Sequence, residues 1–185
     1  MAHVDQQRIK DAVKEMLLAI GDDPNREGLR DTPNRVARMW DDILDGNLTE
    51  PKSLTSFQEE TYSDMILVRK VPFYAFCEHH LLPFYGTFTM AYEPNERLLG
   101  ISKLVRAFRY WAKRPTIQER LTNQAVASIM IAAEAAGAAC FVEAEHLCMT
   151  LRGVKSPGAK TLTMCSQGSF DTNEAQMQRF LNFAK

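Results

Sequence analysis

No run of this 185-residue chain is apolar enough, for long enough, to cross a bilayer. The longest uncharged apolar stretch, Leu121 to Ala133, falls short of the about 20 residues a spanning helix needs. Neither sign of charge is in excess. Lys and Arg number 22 against 23 Asp and Glu, leaving a net charge of −1, so no global field draws the chain to nucleic acid or an anionic membrane. Glycine and proline are ordinary at 9 and 8, which excludes collagen-like and low-complexity chains. Residues Met1 to Asp5 hold no basic segment followed by an apolar run, so a cytoplasmic location without a secretory signal is expected. Cysteine is scarce too, at four, and without a signal peptide that argues against a disulfide framework. The length suffices for one domain with its own core.

What is present is ordered. Ile9, Val13, Met16, Leu17 and Ile20 recur at helical spacing, and Gly21-Asp22-Asp23-Pro24 stops that helix. Thr32 and Pro33 suit the start of a second helix, with Val36, Met39, Trp40, Ile43 and Leu44 as its stripe and Gly46 as its stop. Residues 47–62 are polar and read as a linker. From Met65 the period becomes two: a strand to Val71 closed by Pro72, then an irregular stretch from Phe73 to Pro83, then a strand from Gly86 to Tyr92. Two helices follow, one capped by Ser102, the next by a Thr116/Glu119 capping box and running to Gly137. Strands are expected over Cys140 to Leu151 and Thr161 to Ser166, and a last helix over Asn173 to Phe183. The order predicts an α+β fold whose antiparallel four-stranded sheet has helices on one face and a helix pair between strands two and three. Its open edges invite assembly with copies of itself.

Three of the four histidines stand beside cysteines: Cys77-Glu78-His79-His80, and His146 two residues before Cys148. Thiolates with imidazole suit Zn²⁺ better than the oxygen-seeking Mg²⁺ or Ca²⁺. On one strand, His146 and Cys148 would share a face. Two arrangements stay open. Cys77, His80, His146 and Cys148 would close a structural centre, whereas three ligands and a free imidazole would leave a position for water. Cys140 and Cys165 lack nearby histidine and read as core thiols. Gly100-Ile101-Ser102-Lys103 opens a helix, where an anion could be held; Lys103, Arg106 and Arg109 or Tyr110 face away from its Leu104/Phe108 stripe. Arg152 would join His146 if the strand continued. A solvated face is the plain alternative for all of these.

These residues fall in ordered motifs. They are Asp23 to Leu29; Thr32-Pro33-x-Arg35-Val36-Ala37; Cys77 to Phe84; Gly100-x-Ser102-Lys103-Leu104-x-Arg106; Arg114-Pro115-x-x-Gln118-Glu119-Arg120-Leu121-Thr122; and Glu143-Ala144-x-His146-x-Cys148-Met149-x-x-Arg152-Gly153-Val154. From about Asp22 to Phe170 the chain resembles the GTP cyclohydrolase I family. The resemblance implies the tunnelling fold and a ring-shaped homo-oligomer, usually a decamer, with active sites between subunits. On that reading residues 1–62 are an N-terminal helical segment and linker, and 63–185 the catalytic domain. It further implies one Zn²⁺ per subunit on Cys77, His80 and Cys148, with His79 and His146 unligated. Gln118 and Glu119 fall where the guanine is held, and Ser102, Lys103, Arg106, Arg152 and Arg35 where the ribose and triphosphate are.

The chemistry suits those groups. Opening the imidazole ring of GTP, with loss of formate and formation of 7,8-dihydroneopterin triphosphate, needs hydroxide at C8. Zinc supplies that nucleophile near neutral pH by acidifying water. Proton transfer at the N7 side is expected of His146, a proton shuttle of His79, and acid–base help in the sugar rearrangement of Ser102. Glu119 can accept from N1–H and the 2-amino group. After Lys160-Thr161-x-Thr163 the family usually continues Ser-Ala, where this chain has Met164-Cys165. Two rivals are a silent purine-nucleotide-binding protein on the same fold and a structural-zinc nucleic-acid module. The first is disfavoured by the joint presence of His79, His146, Gln118 and Glu119, the second by the charge balance and the wide ligand gap.

Overall fold

The computed structural model describes residues 4–44, 54–58 and 65–184. The chain forms two compact units, Met1–Glu50 and Pro51–Lys185. In the first, α1 (Gln6–Ala19) is capped by Asp5, whose Oδ1 accepts from the Arg8 N–H at 3.0 Å. Gly21, at φ 83°, takes the left-handed turn after it. Helix α2 (Thr32–Leu44) buries Pro33 and Ala37, and Gln6 Nε2 on α1 donates to Asp41 Oδ2 on α2 at 3.0 Å. The expected stop at Gly46 lies outside the described residues.

The second unit runs β1 (Ser56–Gln58), β2 (Ile66–Cys77), β3 (Pro83–Glu93), β4 (Arg97–Leu99), α3 (Ile101–Ala112), β5 (Pro115–Thr116), α4 (Gln118–Ala133), β6 (Gly137–His146), α5 (Leu147–Thr150), β7 (Thr161–Gly168), α6 (Ser169–Thr172) and α7 (Glu174–Ala184). The α+β expectation holds. The main sheet has the order β5-β2-β3-β6-β7, antiparallel from β2 through β7. Its alternation is the period-two pattern made physical. Phe84, Phe88, Met90, Tyr92, Ala138, Cys140, Val142 and Ala144 point into a core shared with Leu104 and Phe108 of α3 and with Leu121, Ala125, Val126 and Ile129 of α4. Phe88 and Phe108 stack there at 3.9 Å between centroids. Gly86 permits close strand approach: a Cβ there would stand 1.9 Å from the Glu143 carbonyl oxygen.

Several local expectations are corrected. Strand β2 does not close at Pro72 but continues to Cys77, with an irregularity between Val68 and Val71 where Lys70 takes φ 50°. Pro72 is tolerated because the described partners on that outer edge pair β2 only at Phe76 and Cys77, so its missing N–H breaks no ladder there. Ser56–Gln58, read as linker, pairs antiparallel with β4. The sheet has a fifth member, β5, which runs parallel to β2. Because Thr116 is buried in β5 and its hydroxyl bonds the Ile117 carbonyl at 3.3 Å, the Thr116/Glu119 capping box does not form. Ser102 is likewise no cap: Gly100 holds that position for α3. Helices also cover both faces, since Phe170 of α6 with Phe180 and Ala184 of α7 pack on Ala91 and Ala139 behind the sheet. Alanine side chains there are small enough to seat a helix.

Candidate active site

The site begins where β2 ends. Backbone bonds from Leu81 N–H to the Cys77 carbonyl (2.8 Å) and from Cys77 N–H to the Leu82 carbonyl (2.9 Å) close a tight hairpin, with Leu81 in the left-handed region at φ 52°. This is narrower than the irregular Phe73–Pro83 stretch expected, because β2 and β3 pair almost to the turn. The hairpin brings Nδ1 of His79 and of His80 to 3.8 and 3.9 Å from Cys77 Sγ. Glu78 faces away, its carboxylate gripped by both terminal nitrogens of Arg120 on α4. That guanidinium holds the Glu78 carboxyl below the usual carboxylate range. The Glu78 N–H donates to the Thr116 carbonyl at 3.0 Å, so the hairpin is tied to both β5 and α4.

Cys148 arrives differently from expected. Strand β6 stops at His146 and the chain turns into α5, so His146 and Cys148 do not share a strand face. The helical turn swings the thiol towards the hairpin instead. Ligand atoms of Cys77, His80 and Cys148 lie within 4.8 Å of one another, and His146 is not in that group. Burial, and then the neighbouring Cys77 thiol, push the Cys148 thiol above its ordinary value. Two sulfurs with one imidazole fit a soft divalent ion such as zinc.

His146 is held by other means. Its ring lies flat on Phe84, centroids 4.6 Å apart and 2° between planes, and its Nε2 meets Gln118 Oε1 at 2.7 Å. Burial lowers the imidazole's proton affinity, partly offset by the Glu119 carboxylate. Gln118 is itself 1% exposed. Its Nε2 reaches the Thr161 carbonyl at 3.0 Å, Thr163 Oγ1 at 3.1 Å and the Val142 carbonyl at 3.3 Å.

The remaining expected residues divide. Arg152 reaches the hairpin although no strand carries it there: its Nη1 donates to His80 Nε2 at 2.7 Å. Glu119 is exposed at the start of α4. Ser102, Lys103 and Arg106 sit in the first turns of α3, and no hydrogen bond or ion pair among the described residues joins them to the Cys–His–Cys group. Arg35 belongs to α2 in the first unit, exposed, 3.7 Å from Asp31. Sequence reasoning missed the parts played by Arg120, Phe84, Thr122 and Thr163. All four stand in or beside quoted motifs, but only folding reveals their partners.

Fold and site together define the class, an α+β protein whose Cys–His–Cys donor set suits a metal ion. The sequence pattern of the GTP cyclohydrolase I family matches residues 9–185. A GTP cyclohydrolase 1 of Thermoanaerobacter pseudethanolicus is 49% identical over 98% of this chain and 100% of its own. One from Caldanaerobacter subterraneus is 50% identical over 92% of each, and one from Clostridioides difficile 48% identical over 95% of this chain and 94% of its own. The chain belongs to the GTP cyclohydrolase I family, and it is an enzyme.

Proposed function

We propose that the chain hydrolyses the imidazole ring of GTP, releasing formate and forming 7,8-dihydroneopterin triphosphate, the entry into pterin and folate synthesis in the cytoplasm. The observation that carries this reading is the convergence of Cys77, His80 and Cys148 to within 4.8 Å, with His146 held outside that set. These three residues would hold one zinc ion per subunit, which when bound makes water nucleophilic near pH 7.

Around it, the chain's own groups bind and move protons. Glu119 accepts from guanine N1–H and the 2-amino group, selecting guanine over adenine. Lys103, Arg106, Arg152 and Arg35 carry the charge to meet a triphosphate, and Ser102 the hydroxyl to assist at the sugar. His146 delivers a proton at the N7 side of the purine, and His79, exposed on the hairpin, exchanges protons with solvent.

The chain is read as a tunnelling fold within a ring-shaped homo-oligomer, usually ten subunits, with sites shared between neighbours and residues 63–185 holding most of the machinery. Two exposed apolar pairs, separated on the sheet by Glu143 and Glu145 of β6, support assembly. Tyr74, Tyr85, Leu162 and Met164 are 64%, 43%, 58% and 49% exposed, and the register places them on the sheet face turned from α3 and α4. Incubation with GTP, following formate by coupled assay and the pterin by fluorescence, tests the activity. Absence of both products from the zinc-loaded, assembled protein would overturn it.

A further inference from the structure

The contacts around Gln118 form a chain of hydrogen bonds whose direction is set from one end. The Thr122 hydroxyl donates to the Gln118 backbone carbonyl at 2.7 Å, so its oxygen can only accept from the Thr163 hydroxyl, 2.8 Å away. Thr163, its proton spent, accepts from Gln118 Nε2 at 3.1 Å. The backbone carbonyls of Thr161 and Val142, which cannot donate, also face that nitrogen. The side-chain amide therefore has one orientation, nitrogen towards β6 and β7 and oxygen towards His146. An amide oxygen accepts only. At 2.7 Å from it, His146 Nε2 must carry the hydrogen.

We infer that Gln118 is a positioning residue that holds the His146 imidazole as its Nε2–H tautomer, leaving Nδ1 as the nitrogen that exchanges a proton with substrate. This deepens the proposed mechanism and rests on it for its catalytic meaning. It also departs from the role that family likeness suggested for the Gln118 side chain. A group 1% exposed, with both amide hydrogens engaged, is poorly placed to read a purine edge. Phe84 completes the support, because the flat stack stops the ring from rotating away. The segment whose sequence departs from the family pattern at Met164-Cys165 retains, in Thr163, the hydroxyl that the chain of bonds requires.

The test uses the full-length, zinc-loaded protein. Replacing Gln118→Met fills the space but removes the acceptor. The expected result is a single-turnover rate of formate release lowered by at least about tenfold, as for other histidines deprived of a tautomer-fixing partner, with KM for GTP within about threefold. In protein labelled with ¹⁵N-histidine, the His146 signals should shift from the Nε2–H form to a mixture. Thr163→Val should give a smaller loss of the same kind, which Thr163→Ser restores, and these variants serve if Gln118→Met does not fold. Three outcomes would overturn the inference: a steep rise in KM with the rate intact, which marks a guanine contact; a lowered melting temperature with unchanged kinetics, which marks packing alone; or unchanged ¹⁵N signals. If the wild-type protein releases no formate, the hydrolase reading fails, and the tautomer comparison still decides this inference.

Discussion

Arg152 donates from Nη1 to Nε2 of His80 at 2.7 Å, across 72 positions of sequence. The contact holds the His80 ring between Arg152 and the Cys77 thiol, whose Sγ stands 3.9 Å from Nδ1, so the guanidinium is brought to the edge of the Cys–His–Cys group.

Arg152→Ala should weaken GTP binding by about 1.5–3 kcal/mol through loss of a charge-assisted bond, while zinc is still bound. Steady-state kinetics and zinc competition with a chromogenic chelator measure the two effects. A fall in zinc affinity would show that Arg152 supports the donor set instead.

Cys148→Ser should lose the metal, because a hydroxyl is a poor replacement for a soft thiolate. His146→Ala should keep stoichiometric metal and an unchanged assembly, yet lose turnover by about 10²–10⁴-fold. Metal analysis beside melting temperature separates the two variants. Metal loss from His146→Ala would restore the closed four-ligand centre and remove the position for water.

Glu145 ties both ends of the segment between β6 and β7: it accepts from Lys160 Nζ at 3.2 Å and from the Gly158 N–H and Thr150 Oγ1, both at 3.4 Å. Lys160 and then Gly158 hold its carboxyl below the ordinary 4.5. A depressed folded-state value means that the stabilisation is present above 4.5 and lost as pH falls through the folded value. Melting temperatures of the parent and of Glu145→Gln, measured from pH 7 to pH 3, should differ at neutrality and converge in acid. A gap that widens in acid would reverse the sign.

Phe108→Ala should destabilise the second unit by about 3–5 kcal/mol, since it deletes a fully buried ring stacked on Phe88. Denaturant unfolding measures this. A cost under about 1 kcal/mol would mean that the Phe88–Phe108 stack does not anchor α3 to the sheet.

Periodicity alone determined much of this protein. The apolar spacing of α1 to α4 and the alternation along β3 and β6 are local properties, set by side chains that must leave water on one face of an element, and they put the α+β class within reach. Cys77, His80, His146 and Cys148 were legible as candidate ligands because few residue types can hold a soft cation, and only the family resemblance set His146 apart. What sequence did not determine was how those ligands meet. Cys148 reaches Cys77 because β6 ends at His146 and a helical turn redirects the chain, and a period-two reading cannot foresee that turn. The capping box failed for a related reason: Thr116 pairs with Cys77 in a parallel ladder, a contact 39 residues away in sequence that outweighs a local hydroxyl cap. The orientation of Gln118, and with it the tautomer inferred for His146, belongs wholly to the tertiary structure, because it depends on carbonyls of β6 and β7 and on the Thr163 hydroxyl of β7 meeting the Thr122 hydroxyl of α4. Local patterns choose the elements, since burial is decided residue by residue; the direction of a buried hydrogen bond depends on every neighbour at once, and only packing brings those neighbours together.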